Sequence, residues 1–441
     1  MRIVYFSKYQ TDRAGVVLAL FFYYLCIKLN TMNKYLIIPM LVLLSIACSN
    51  TTNEIDKDHS TAEVGKTLPA WSEGHLDIHL INTGRGECCF YILPDGTTLL
   101  VDAGEVATTS GSVAQKPNDQ IRPYIAYANY IKHFLPAGKS AIDYCAPSHL
   151  HIDHIGSASM ATDVADAGYR KSGLLALYDK VPYNHILDGA YPTYTEDETT
   201  PKIEGELAED WATFVTWGVK EGRFTAECFS VGKEQIVLRN NSKKYNNFSI
   251  LNICANGFVW GKDESGKQTI LGSKAKTGGN PASCGFHITY GKFDYLACGD
   301  LTSSAQNLMA FYFRDFIGCG NLDAFKSNHH LAANSWGSQM QKQNFNPRVV
   351  LNHCFASNKP DVAKLIQILP AIESFYATNI HPDIEAHPEV AANNLLDKIT
   401  AYNGHIVLRV APGGDSFYVY MLDDSNFKYR VKSIHGPYKS K

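Results

Sequence analysis

The sequence predicts an α/β fold, and three observations point to it. Short apolar runs of strand length recur between segments whose apolar residues have helical spacing. Two of those runs end on chemically active residues: residues 141–147 (AIDYCAP) precede a histidine cluster, and residues 293–297 (FDYLA) precede Cys298-Gly299-Asp300. In α/β sheets, active groups gather in this way beyond the carboxyl ends of strands. The chain is also long enough, at 441 residues with 45% hydrophobic and 19% charged, to bury one large core or two smaller ones.

Taken in order, the chain opens with an apolar stretch at 14–27, too short to span a bilayer comfortably. Met32-Asn33-Lys34, the apolar run 35–46 and Ala47-Cys48-Ser49 then follow the three-part plan of an export signal. This unit resembles a bacterial lipoprotein signal, which implies a lipid on Cys48, attachment to a membrane and a place in the cell envelope. Residues 1–31 read as an over-extended start, 32–48 as the signal, and 49–70, polar and aperiodic, as a flexible linker.

The folded domain is expected over 71–436, with an insertion at about 190–280. Strands are expected at 76–80, 88–93 and 98–101, the last two joined by an Asp95-Gly96 turn. A helix at 121–135 and a strand at 141–147 lead to the histidine loop. Beyond it a helix at 157–167, a strand at 174–178 and a helix at 204–220 are predicted; Trp211 and Trp217 on the last cover the sheet. Strands follow at 235–238, 248–253 and 258–260, then a polar loop at 262–279. Further strands at 285–290, 293–297, 347–351 and 374–378 alternate with helices at 303–316 and 363–369. A hairpin of 404–409 and 416–422 closes the domain.

Ser148 to Gly156 carries the chemistry, as HxHxDH. On an extended loop, alternation puts His149 and His151 on one side, able to share a metal, while Asp153 and His154 face a second metal as the chain turns. Imidazole and carboxylate ligands suit Zn, Mn or Fe. Asp300, at the end of its strand, is placed to bridge two cations at the separation of about 3.5–4 Å used in two-metal hydrolysis.

HxHxDH followed by Ile-Gly resembles the signature of metallo-β-lactamase-fold hydrolases. Asn82-Thr83-Gly84-Arg85-Gly86-Glu87, Val101-Asp102-Ala103-Gly104, Asn280-Pro281-Ala282-Ser283, Gly299-Asp300 and the segment ending His329-His330 resemble, in order, motifs of the hydrolase domain of ComEC-type competence proteins. The resemblance implies a four-layer αββα sandwich with two mixed sheets inside and helices outside. It implies a binuclear site, of zinc by preference, with ligands His149, His151, Asp153, His154, Asp300 and His329, and with His185 as a further candidate. Asp102 would support the histidine loop, and Asp153 and His330 would take catalytic parts, His330 by proton transfer. The sequence departs from the family pattern in two places: Asn82 stands for the leading aspartate, and Leu331-Ala332 stands for Gly-Ser.

The resulting expectation is an exported hydrolase with a metal-activated hydroxide, acting on phosphodiesters of nucleic acid or envelope material. The alternatives are a non-catalytic metal- or ligand-binding lipoprotein, or an ester, thioester or lactam hydrolase of the same fold. Composition weighs against tight, sequence-independent nucleic-acid binding. The first 48 residues hold five basic residues and one acidic one, which leaves 35 basic and 42 acidic residues beyond them. No dedicated nucleic-acid-binding module is visible. Eleven cysteines without a CxxC pair read mostly as small buried hydrophobes.

Overall fold

Strands Leu76–Leu80 (β1), Cys89–Ile92 (β2) and Thr98–Val101 (β3) are buried at every residue, on both faces. A sheet that reads this way must be covered twice, by a second sheet and by helices. The computed structural model, which describes residues 62–263, 265–316, 322–336 and 346–441, shows both covers. Its described residues belong to one unit, Ala62–Lys441.

After β3 come helix Pro123–Phe134 (α1), strand Tyr144–Cys145 (β4), the short helix Ile152–Ile155 (α2) and helix Gly173–Tyr178 (α3). His185–Asp188 (β5), helix Ala208–Lys220 (α4) and Thr225–Cys228 (β6) follow. The second sheet is built from Phe248–Ala255 (β7), Phe258–Lys262 (β8), Gln268–Gly272 (β9), Gly285–Tyr290 (β10), Phe293–Ala297 (β11), Ala324–Lys326 (β12), Val349–Asn352 (β13), Ser374–Ala377 (β14) and Ala401–Tyr402 (β15). Helices Ser303–Phe316 (α5) and Val362–Ile368 (α6) lie among these strands in sequence, and His405–Val410 (β16), Ser416–Leu422 (β17) and Val431–Lys439 (β18) return to the first sheet. The strand orders are β18-β17-β16-β1-β2-β3-β4-β5-β6 and β15-β14-β13-β12-β11-β10-β7-β8-β9.

Three apolar layers separate four layers of structure. Ile78, Leu99, Leu408 and Val419 of the first sheet meet Ile250, Phe286, Tyr295 and Val349 of the second. On the outer side of the first sheet, Phe90, Leu100 and Ile186 pack with Tyr127, Leu174 and Trp211 of α1, α3 and α4. Outside the second sheet, Leu296, Phe325 and Val350 pack with Met309, Leu365 and Ile368 of α5 and α6. Neighbours such as Leu99 and Leu100, or Val349 and Val350, therefore face different cores, as the two-residue period of a strand requires. This is the αββα sandwich, with mixed sheets inside.

Strands β3 to β6 run parallel, as do β11 to β15. Their carboxyl ends deliver Asp102, the histidine loop, Asp188, Asp300, His329-His330 and His353. The site is thus a property of topology, with one parallel half-sheet contributed by each layer.

Several local expectations differ from the structure. Residues 174–178 form helix α3, because Leu174, Leu175 and Leu177 are all buried and a short apolar run has no period that separates helix from strand. Residues 157–167 hold only the short turn Ala158–Met160, and 235–238 is irregular, with Gln235 bonding Ser230, Cys228 and Asn252 through its side chain. The expected strand 141–147 shortens to Tyr144–Cys145. The expected insertion supplies β6 to β9, the edges of both sheets. The polar loop 262–279 contains β9. Residues 1–31, the signal with Cys48 and the linker up to 61 lie outside the described residues. From Gly65 the supposed linker is docked: Gly65 N donates to Val431 O, and Leu68 enters the first core.

Gly104 shows how tightly the two turns of the first sheet interlock. A Cβ on it would stand 1.8 Å from the carbonyl oxygen of Asp153. Gly104→Ala must push α2 away from β3, so it should lower unfolding stability by about 1–3 kcal/mol in urea melts. Wild-type stability in that variant would contradict this packing.

Candidate metal centre

His149 to His154 leave β4 as an extended loop and turn into α2, with His151 as its N-cap. The imidazoles bunch together: ring centroids of His149 and His151 are 4.6 Å apart, and those of His149 and His154 are 4.1 Å apart. Asp102, at the end of β3 with φ +62°, fixes this loop. It accepts from Ser148 N at 2.7 Å, from Ser148 Oγ at 2.7 Å and from His154 Nδ1 at 2.8 Å. With Nδ1 held by Asp102, Nε2 of His154 faces inward, the carboxylate–histidine arrangement that orients metal ligands. Burial would lower this imidazole, but Asp300, Asp153 and Asp102 outweigh it and hold it well above its usual range, so a cation would displace a proton there.

The second sheet supplies the opposite wall. Gly299 has φ +50°, and a Cβ there would lie 2.6 Å from Ser148 Cβ, so the turn before Asp300 needs glycine. Asp300 N donates to Ser283 Oγ at 3.1 Å, and Cys284 N donates to Ser148 O at 2.7 Å. The second of these bonds ties the two halves of the site together.

Four side chains close on one point. Asp300 Oδ2 lies 3.2 Å from His154 Nε2 and 3.3 Å from His330 Nε2, and Asp153 Oδ2 lies 3.4 Å from His330 Nε2. One ligand atom from each of Asp153, His154, Asp300 and His330 falls within 4.8 Å of the others. His149 Nε2 and Asp300 Oδ1 are buried without a hydrogen-bond partner. Buried polar atoms are rarely left so. Unpartnered imidazole and carboxylate atoms at one point are a donor set that fits a divalent cation.

The electrostatics agree. Burial, reinforced by His154, holds His149 well below the usual imidazole range, so its lone pair is free. Burial would raise Asp300, but His330 and His154 outweigh it and hold the carboxyl well below its usual range. Burial would lower His330, but Asp300, Asp153 and Glu87 push it up to about 9.

His329 and His330 differ from the sequence expectation. The chain leaves β12 with φ of +45°, +52° and +64° at His329, His330 and Leu331, a left-handed path costing about 1–2 kcal/mol per residue. That path turns His330 inward to the cluster. His329 is 24% exposed on its side chain, with Nε2 3.9 Å from Asp300 Oδ2. Both its ring nitrogens are engaged, by Asn280 Nδ2 at 3.0 Å and Asn334 Oδ1 at 2.7 Å. His185 does not join the site. It begins β5, at the opposite end of that strand from the cluster, and pairs with Thr225 at 2.6 Å and Glu227 at 3.1 Å. His151 is half-buried beside Gly279, whose Cβ would lie 2.6 Å from its Nε2.

Sequence reasoning gave no role to Glu87, Lys326, His353 and Asn358. Glu87 Oε1 pairs with Lys326 Nζ at 2.8 Å, and its Oε2 lies 3.5 Å from His330 Nδ1 and 3.8 Å from His353 Nδ1. Glu87 thus faces His330 as a charge, without the hydrogen bond that Asp102 makes to His154. Burial holds His353 down to about 3, so it is a neutral neighbour. Asn358 Nδ2 donates to Asp153 Oδ2 at 2.6 Å. The signal for Glu87 was the acid ending the 82–87 motif; nothing local marked the other three.

No protein-family model matches the sequence, and no curated protein matches it. Among solved structures, CmlA, a diiron β-hydroxylase from Streptomyces venezuelae, is similar at 14% identity and a TM-score of 0.35, over 78% of this chain and 55% of that one. A mutant of that hydroxylase gives a TM-score of 0.36 at the same identity and coverage. A structure from Parabacteroides distasonis ATCC 8503, whose name proposes a metal-dependent hydrolase, is 11% identical with a TM-score of 0.31, over 71% of this chain and 96% of that one. This chain spans about half the length of the hydroxylase, and none of the three assigns it an activity.

Two predictions follow from the supports. Asp102→Asn keeps a hydrogen-bonding group but removes the negative partner of His154. Metal affinity, read by competition with a chelating dye, should fall about 10–100-fold while the fold persists. The metal-free protein has a raised His330 pKa, so that contribution to stability is complete below about pH 6.5 and is lost as pH rises through about 9. Melts of metal-free protein should therefore weaken from pH 7 to 9, while metal affinity strengthens as the competing proton leaves. A flat profile in both would contradict the His330 environment.

Proposed function

We propose that this chain is a metal-dependent hydrolase of phosphodiesters, exported and held at a membrane by a lipid on Cys48. The observation that carries the catalytic part is the convergence of Asp153, His154, Asp300 and His330, with His149 Nε2 and Asp300 Oδ1 left unpartnered beside it. The export part rests on the sequence of residues 32–49.

Asp153, His154, Asp300 and His330 would hold one cation, and His149 with His151 would serve a second beside it, with Zn, Mn or Fe as the candidates. When bound, such cations supply Lewis acidity and make a water acidic enough to act as nucleophile near neutral pH. The chain's own groups do the rest. Asp102 keeps His154 turned inward by a hydrogen bond, and the left-handed backbone turns His330 inward in front of the Glu87 charge. Asn358 fixes the Asp153 carboxylate. His329 stands at the rim, with Asn280 at its Nε2, and its Nδ1 donates to Asn334. Protonated at both ring nitrogens, with the Asn280 amide turned so that its Oδ1 accepts, His329 can pass its Nε2 proton to a departing alkoxide. This reading exchanges the roles expected for the two neighbouring histidines.

The test is turnover of bis(4-nitrophenyl) phosphate by metal-loaded protein. Asp153→Ala should lower kcat/KM by about a thousandfold or more, with the melting temperature of the metal-free protein preserved. His329→Gln should lower kcat mainly, and least for substrates whose leaving groups need no proton. Equal turnover by wild type and Asp153→Ala would end the catalytic reading and leave a metal- or ligand-binding lipoprotein.

A further inference from the structure

A cleft of about 370 Å³ opens beside the cluster, with Asp153 in its wall. That volume lies within the range of about 300–1,000 Å³ seen for small-molecule sites. Its floor is a small apolar cluster separate from the three main cores: Val106, Phe355 and Ala356, with Ile152 packed against them. The Phe355 ring meets the His330 ring edge-on at 4.6 Å, so the floor continues into the metal centre. Hydroxyls line the rest, including those of Thr109, Ser157 and Ser357.

Among the described residues, the lining holds no lysine or arginine. Cations on the same segments are engaged elsewhere. Arg85 donates to the carbonyls of Gly84 and Val113, Arg122 grips Glu105 at 2.7 and 2.9 Å, and Lys359 pairs with Asp383. A nucleic-acid strand would bring further phosphates next to the scissile one, and proteins that hold strands meet those phosphates with a basic groove. Among the described residues, the one charged side chain in this lining is Asp153, a cation ligand in this reading that offers nothing to a second anion.

We infer that this cleft receives an uncharged, partly apolar substituent, such as an aryl or short alkyl group with a hydrogen-bonding atom, next to the bond that is cleaved. The substrate is then a small diester, and polymeric nucleic acid is excluded from this side. The substrate part of this inference rests on the proposed hydrolase activity; the cleft's preference does not.

Two measurements separate them. Ligand-observed NMR with benzamide, benzoate and benzamidine reads the cleft without turnover. Ser357→Trp fills the rim from an exposed position, and metal content and melting temperature serve as its controls. Benzamide should bind more tightly than both charged probes and weaken about tenfold in the variant. Tighter binding of either charged probe, or benzamide binding that is absent or unchanged in the variant, overturns the assignment of the cleft. In turnover, Ser357→Trp should raise KM for bis(4-nitrophenyl) phosphate about tenfold with kcat little changed, and a single-stranded oligodeoxynucleotide should be the poorer substrate. Faster cleavage of the oligonucleotide overturns the substrate class. If benzamide binds as expected and neither diester is cleaved, the proposed function fails and the cleft assignment stands.

Discussion

The structure depends on carboxylates and imidazoles brought together largely out of bulk water. Asp300 from the second sheet lies 3.2 Å from His154 of the first, and His330 sits within 3.4 Å of both Asp300 and Asp153. Removing an ion from water carries an effective penalty of several kcal/mol even after relaxation. A fold does not keep four such groups at one point for stability alone. Apolar side chains of the same volume would serve stability as well or better. The cluster is therefore read as a device for something else, and its donor set names a cation.

The rest of the architecture serves that point. Two parallel half-sheets face each other, and a buried acid of the first sheet stands behind a histidine from each. Asp102 does this for His154 at 2.8 Å. Glu87, charge-balanced by Lys326, faces His330 as a negative charge at 3.5 Å. The left-handed backbone at His329, His330 and Leu331 is the strained part of the arrangement, and burial of Leu331 in the third core holds it in place. Strain kept by surrounding packing is a common mark of a working site. With Leu331 buried there, the turn is held by side-chain packing as well as by backbone.

Much of this was legible in the sequence where the signal was local. HxHxDH and Gly-Asp each follow an apolar run, and both fall at the carboxyl ends of parallel strands. In β2, Cys-Phe-Tyr-Ile, burial on both faces follows from an unbroken apolar run, whereas Asp77 and His79 of β1 are buried because Arg409 and Tyr130 pair with them. The misread elements are short apolar runs, such as α3, whose length fits either structure. What no local pattern could give is the set of partners brought in by topology. Lys326 meets Glu87 and Asn358 meets Asp153 across 239 and 205 positions. The choice between His329 and His330 turned on the hand of three backbone dihedrals, which adjacent identical residues do not encode.

Metal content per chain, measured by elemental mass spectrometry on protein purified without chelator, tests the account most directly. About two divalent ions per chain, with the loss of at least one in Asp300→Ala, is the predicted result. No bound metal, even after Zn, Mn or Fe is added back, would contradict it, because the buried cluster would then have no cation to explain its open ligand atoms.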